Sequence, residues 1–277
     1  MLLHCPDIAG MGGRASIKVS GIVAWSFAAT AAIIGMIWFG VPIIADQVTE
    51  LLPLSWEKPL GQAVDGQVRA LFGGTECTAP AGIAALGKLV AKLQLAAKLP
   101  IRPDPVVLKS SVPNAFALPG GRIFILSDLI GKAGSPDELA GVLAHEFGHV
   151  AHRDGLRRLL RDGGTGYLLG LLFGDVTGAG AALVAARTLL NSAYSRGAET
   201  ASDDFSVMVM RALGRPTAAL GDLLSRVAQD TNASLSLFRD HPLTPDRIIR
   251  LAGTGSSDSG PALLDPDEWQ ALRSICR

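Results

Sequence analysis

Aromatic residues make up only 5% of this 277-residue chain, and cysteine occurs three times, as Cys5, Cys77 and Cys276. No two of them have C-x-x-C spacing, which argues against a thiolate zinc site. Two readings stand for Cys77 and Cys276: a disulfide closing a very long loop in an oxidising compartment, or two independent buried thiols. Net charge is absent too, with 25 basic and 25 acidic residues and a pI near 7. There is no basic balance pointing to nucleic acid and no acidic tail. No tetratricopeptide-like repeats occur.

Charge is also missing over one long run. From Val19 to Ala45 no side chain is charged. Gly21 to Val41 alone makes about 31 Å of helix, enough to cross a bilayer core. A cleavable signal peptide has an apolar region of about 7–15 residues, so the longer run here favours an uncleaved anchor. Arg14 and Lys18 precede the run, and Asp46 and Glu50 follow it. The positive-inside rule then puts residues 1–20 in the cytoplasm, residues 21–45 in the bilayer as a single span, and the remainder on the non-cytoplasmic side.

The most informative stretch is Ala144 to Val150, in which His145, Glu146 and His149 form an H-E-x-x-H pattern. With 5 His and 7 Glu in the chain, random placement yields only about 0.002 such patterns. Ser135, Pro136 and Glu138 make a helix start: N-cap, first-turn proline and capping-box acid. Leu139, Val142, Leu143, Phe147 and Val150 follow at helical spacing. On that helix the two histidines lie one turn apart on one face, where both imidazoles can bind one Zn²⁺. Glu146 lies beside that face and can take a proton from water attacking a carbonyl. His152 lies about 10 Å along the helix from His145, too far to share the ion.

A catalytic zinc needs a third protein ligand. The segment from Tyr194 to Asp204 supplies acids on a second helix, predicted from Ala198 to Leu213. Glu199 and Asp203 stand at i and i+4 on one face. Glu199 is read as the third ligand, and Asp203 as the acceptor of a ligand histidine's free ring N–H. The competing reading is a solvated acidic face, weakened by the apolar Phe205, Val207, Met208, Val209 and Leu213.

Elsewhere, Pro80 to Leu99 reads as a helix. Val106 to Leu108 and the runs Asn114–Leu118 and Arg122–Leu126, joined by Pro119-Gly120-Gly121, read as a small sheet. Its strand at Arg122, Ile123, Phe124 and Ile125 is expected to offer an edge to an extended peptide. Residues 46–76 read as a connector. The glycine-rich stretch 167–186 reads as core helix that could touch the membrane, 253–260 as a linker, and the tail to Arg277 as one short helix.

The combination His145-Glu146-x-x-His149 with Glu199-x-x-x-Asp203, in a stretch containing Tyr194-Ser195-Arg196, resembles the M48 family of zinc metallopeptidases, which includes Oma-type, HtpX-type and BepA-like proteases. Asn114 to Gly121 and His241-Pro242 with Arg247-Ile248 resemble two further elements of that family. The family commonly has a second acid and an alanine between the ligand Glu and the Asp, where this chain has Thr200-Ala201-Ser202. With one clear span, the single-anchor branch fits better than the multi-span ones. The resemblance implies an α+β, mainly α-helical, zincin-like (gluzincin) domain over 77–252, with 253–277 as linker and tail. It implies one Zn²⁺ per chain and His241 as a second catalytic residue that donates a hydrogen bond to the developing oxyanion or the attacking water, with Arg247 anchoring its loop to an acid. The expected function is a membrane-anchored metalloendopeptidase whose partners are misfolded or envelope polypeptides and, through 21–45, the bilayer. The alternative is a non-proteolytic, zinc-containing, chaperone-like assembly factor.

Overall fold

The computed structural model describes residues 19–72, 74–172, 194–229, 241, 245–252 and 259–277. The segment 1–18, the part of the glycine-rich stretch beyond 172, Pro242 and the linker 253–258 lie outside the described residues.

The chain divides into two units, one ending at Ile44 and one starting at Ala45. The first carries α1 (Val19–Gly35), followed by a π-helical turn, Met36–Gly40. With α2 (Val41–Leu51) they form one 33-residue helix, long and apolar enough to cross a membrane. Trp25, Phe27, Trp38 and Phe39 on this helix are all at least 70% exposed.

The second unit is built on a three-stranded sheet. Strands β1 (Asp104–Leu108), β2 (Ala115–Ala117) and β3 (Arg122–Leu126) lie in the order β1-β3-β2, with β1 parallel and β2 antiparallel to β3. Side chains alternate across a strand, and both faces are covered. Ile123, Ile125 and Val107 enter the main core, which contains residues of α4 (Pro80–Ala97) and α6 (Pro136–Ala151). Phe124, Leu126, Val106, Leu108 and Phe116 enter a second core with Val64 and Val68 of α3 (Glu57–Leu71). Burial on both faces explains why Arg122–Leu126 reads as continuous apolar residues after its first position.

Two expectations change. The segment expected as a connector contains α3, whose Val64 and Val68, one turn apart, close the second core; Pro53, Pro59 and Gly73-Gly74 give the stretch the look of a linker. α3 also holds the turn between β2 and β3. Gly120 has φ +83°, a Cβ there would lie 2.6 Å from the Lys58 Cα, and its N–H donates to Glu57. Buried Glu57 is in turn paired with Arg153, which also donates to the Thr49 and Leu52 carbonyls.

The second change concerns the docking strand. Arg122, Ile123, Phe124 and Ile125 were expected at a sheet edge, but β3 is central. Ile123 pairs with Pro105 and Ala117, Phe124 with Val106 and Phe116, and Ile125 with Val107 and Ala115, while Arg122 opposes Asp104. Both backbone edges of β3 are therefore occupied. The parallel β1 strand, separated from β3 in sequence by the intervening β2 strand, could not be inferred from a local hairpin signal.

Two further helices, α5 (Ser127–Lys132) and α7 (Asp154–Leu172), flank α6 in sequence. Beyond them come α8 (Arg196–Ala212), α9 (Ala219–Gln229), α10 (Pro245–Ala252) and the tail helix α11 (Pro266–Arg273). The tail packs against α4 and is joined to the start of the domain by a Cys77–Cys276 disulfide across 199 positions. The chain-entropy model gives such a loop roughly 5 kcal/mol, against a typical measured range of about 2–4 kcal/mol.

Candidate metal centre

Helix α6 starts as its sequence predicts. The Ser135 Oγ accepts the Glu138 N–H, with Pro136 in the first turn. The Glu138 carboxylate does not close a capping box; it accepts from the Gly134 N–H and from Arg226. From Glu138 to Val150 every residue is buried, including His145, Glu146 and His149 at 3%, 1% and 1% exposure. Three ionisable side chains held so far from water require partners.

Helix α8 provides them. It packs on α6 where Gly148, an unspecified position of the H-E-x-x-H pattern, meets Ser202: a Cβ at Gly148 would lie 2.8 Å from the Ser202 Cα. Glu199, Ser202, Asp203 and Ser206 recur at helical spacing and are all buried. The face carrying Glu199 and Asp203 turns towards α6 and not towards solvent, the competing reading, and Ser206 on it donates to the Gly141 carbonyl at 2.8 Å.

The stripe brings acids to the histidines. His145 Nε2 and His149 Nε2 are 3.1 Å apart. Glu199 Oε2 is 3.6 Å from the first and Oε1 is 3.4 Å from the second. A tetrahedral ion with bonds of about 2.0–2.1 Å separates its donors by about 3.3 Å, so the three spacings suit one ion. The opposite ring edges face carboxylates: His145 Nδ1 lies 2.9 Å from Asp203, and His149 Nδ1 lies 2.9 Å from Asp154 and 3.0 Å from Ser202 Oγ. With the ring proton on each Nδ1, both Nε2 lone pairs and the Glu199 oxygens converge as acceptors with no donor between them.

His241 joins the group. Its Nδ1 is 2.9 Å from Glu199 Oε1 and 3.3 Å from His145 Nε2, and its Nε2 is 3.4 Å from Glu146 Oε1. Ligand atoms of His145, His149, Glu199 and His241 all lie within 4.8 Å of one another. Arg247 on α10 makes a two-pronged contact with Asp203, 2.8 Å on each prong, and lies 2.6 Å from Glu199. His152 caps the end of α6 and packs edge-on against Phe205, outside the donor group. Asp204 faces out, 56% exposed and paired with Arg250.

The electrostatics call for a cation. Buried Glu146, Glu199 and Asp203 face one buried guanidinium, that of Arg247. Burial opposes the charged form of Glu199, but the nearby His241 charge and the contacts to His149 and His241 hold its pKa well below the usual carboxylate range. Burial also lowers the His149 pKa, yet Asp154 and Glu199 override it and push the value up to about 9. His241 is raised in the same way by Glu199 and Glu146. For His145 burial wins, and its pKa falls despite Asp203. Protons on His149 and His241, whose ring centres are 5.3 Å apart, can supply the missing positive charge; a divalent ion held between the Nε2 atoms and Glu199 would supply it in their place. Glu146 Oε2 and His241 Nε2 are buried with no hydrogen-bond partner among the described residues, as polar atoms that await a ligand would be.

The sequence missed two groups here. Asp154 opens α7, where an acid is ordinary first-turn chemistry, and nothing local ties it to His149. Tyr194, quoted only as part of a motif, is buried with its ring stacked on His149 at 3.9 Å.

Comparison with known proteins agrees with this geometry. The profile of peptidase family M48 matches residues 83–254. The chain is 38% identical over 148 residues to the mitochondrial metalloendopeptidase OMA1 of Saccharomyces cerevisiae, covering 50% of this chain and 43% of that protein. It is 30% identical over 179 residues to the metalloprotease YcaL of Escherichia coli, covering 58% and 66%, and 28% identical over 151 residues to the metalloprotease LoiP of the same organism, covering 52% and 60%. The chain thus spans from under half to about two thirds of the length of these relatives.

Proposed function

The chain belongs to peptidase family M48, and on that premise we propose that it is a membrane-anchored, zinc-dependent endopeptidase acting on polypeptides outside the cytoplasm. The observation that carries the reading is the spacing of the His145, His149 and Glu199 donors at 3.1–3.6 Å. These three residues would hold one Zn²⁺, which when bound polarises the scissile carbonyl and acidifies a water. Glu146 takes the proton of the water as its oxygen bonds to the carbonyl carbon, then hands that proton to the departing amine as the C–N bond breaks. Asp203 and Asp154 keep the two imidazoles in the tautomer that leaves Nε2 bare. Arg247 ties α10 to the Glu199 and Asp203 face of α8. His241 donates from Nε2 to the developing oxyanion. With its Nδ1 at 2.9 Å from Glu199, the same ring is close enough to the donor group that it could itself help to hold the ion.

The substrate backbone would pair with β2 rather than β3. β2 is the edge strand next to α6; its Ala115 and Ala117 carry the backbone groups not used in pairing with β3, of which the Ala115 N–H is held by Asn114 Oδ1 and the Ala117 carbonyl by Tyr194, so a docking peptide would have to displace those contacts. The zinc and peptidase assignment is tested on the full-length protein in detergent with casein. Cleavage is expected, lost on chelation and restored by Zn²⁺. Casein left intact by the zinc-loaded protein would remove the peptidase reading.

The envelope location is supported by the uncharged helix at 21–45, by Arg14 and Lys18 ahead of it, and by the Cys77–Cys276 disulfide, a bond that persists in oxidising compartments. Misfolded envelope or membrane proteins are then the substrates within reach. An alkaline phosphatase reporter fused after Arg277 is expected to be active in cells; activity only from a cytoplasmic reporter at the same point reverses the orientation.

A further inference from the structure

We propose that Tyr194 is a positioning residue that sets the ring plane of His149 and links it to the substrate-docking edge of β2; this rests on the reading of His145, His149 and Glu199 as zinc ligands.

A histidine ligand works only if its Nε2 lone pair points at the ion, and two constraints are needed to aim it. A hydrogen bond at Nδ1 fixes one edge of the ring, and a surface against its face fixes the plane. For His149 the edge is fixed by Asp154 at 2.9 Å and Ser202 at 3.0 Å. The face is fixed by Tyr194, whose ring is 3.9 Å away and 12° from parallel. The other two site histidines do not serve: the His145 ring is edge-on to His149 at 85°, and the His241 ring is 5.3 Å away at 38°.

Tyr194 is itself held. It directly precedes Ser195, the N-cap of α8, so its backbone is tied to the helix that carries Glu199. The Arg158 guanidinium lies 4.8 Å from its ring centre, in reach of a cation–π contact. Its hydroxyl donates to the Ala117 carbonyl at 3.5 Å. Ala117 belongs to the β2 edge, and its carbonyl is one that an added strand would use. Tyr194 therefore touches the docking strand with its hydroxyl and a metal ligand with its ring. A peptide seating on β2 shifts the group that holds His149, and by linkage the ion also acts on peptide binding.

The two halves of the tyrosine are separable. Tyr194→Phe keeps the stacking face and loses the hydroxyl. Tyr194→Leu loses the face, and Tyr194→Met is a second aliphatic variant in case the leucine protein fails to fold. Zinc affinity is read by chelator competition on the full-length protein, kcat and KM on a fluorogenic peptide. The aliphatic variants are expected to weaken zinc about 10–100-fold, the range for lost outer partners of a ligand. The phenylalanine variant is expected to keep zinc affinity and kcat within about twofold while KM shifts about threefold or more. Unchanged zinc affinity in the aliphatic variants overturns the clamp, and an unchanged KM in Tyr194→Phe overturns the link to β2. A residue that merely packs would lower the melting temperature of the metal-free protein without altering either ratio. If the wild type itself binds no zinc, the ligand reading has failed rather than the role of Tyr194.

Discussion

Glu146→Gln is expected to lower peptide hydrolysis by about 10²–10⁴-fold, the contribution of a positioned general base and acid, while one zinc per chain stays bound. Glutamine matches glutamate in size, so the site, where Glu146 is 1% exposed, keeps its packing. It cannot accept the proton of the attacking water. The wild-type carboxylate is well placed to do so, because its Oε1 lies 3.4 Å from His241 Nε2 and its Oε2 is buried without a hydrogen-bond partner among the described residues. The measurement pairs casein cleavage with metal content by elemental analysis. Equal cleavage by wild type and variant would end the catalytic reading. Zinc retained in both, polypeptide binding in both and cleavage in neither would favour the chaperone-like alternative.

Glu199→Ala is expected to reduce zinc from one per chain to a small fraction, a larger loss than the about 100-fold that follows removal of an outer partner. The alanine removes the only carboxylate among the described residues whose oxygens approach both Nε2 atoms, at 3.6 and 3.4 Å. It also strips Arg247 and His241 of a buried partner, and breaking a buried pair costs about 3–5 kcal/mol. A lower melting temperature should therefore accompany the metal loss. Asp204→Ala is the control: one residue from Asp203 on the same helix, it is exposed and paired with Arg250, and it should change neither zinc content nor activity. Full zinc occupancy in Glu199→Ala would mean that His241 serves as the third ligand.

Much of this site was legible because helical spacing is a local property. Ser135 and Pro136 announce α6, and the i, i+4 placement of His145 and His149 dictates that they share a face. Glu199 and Asp203 follow the same rule on α8. The apolar run at 21–45 likewise declares a helix of spanning length. Other parts were not legible. The sheet order β1-β3-β2 depends on a parallel pairing across a crossover, and a hairpin signal carries no information about which strand lies outside. α3 reads as a connector because Pro53, Pro59 and Gly73-Gly74 punctuate the stretch, while its packing surface is made of Val64 and Val68 with the small Gly61 and the polar Glu57. Asp154 and Tyr194 reach His149 from elements that are polar or irregular in their own neighbourhood.

By itself the sequence determined the chemistry: two imidazoles and a general base on one helix, two acids on another, and an uncharged helix ahead of them. Periodicity along a helix is enough to choose those faces. Only the tertiary structure decided that the faces meet, because the contact of Gly148 with Ser202 is made between residues 54 positions apart and depends on how α6 and α8 cross. Tertiary packing likewise decided that Arg247 of α10 ties both acids, that Asp154 and Tyr194 reach His149, and that β3 rather than β2 is the central strand.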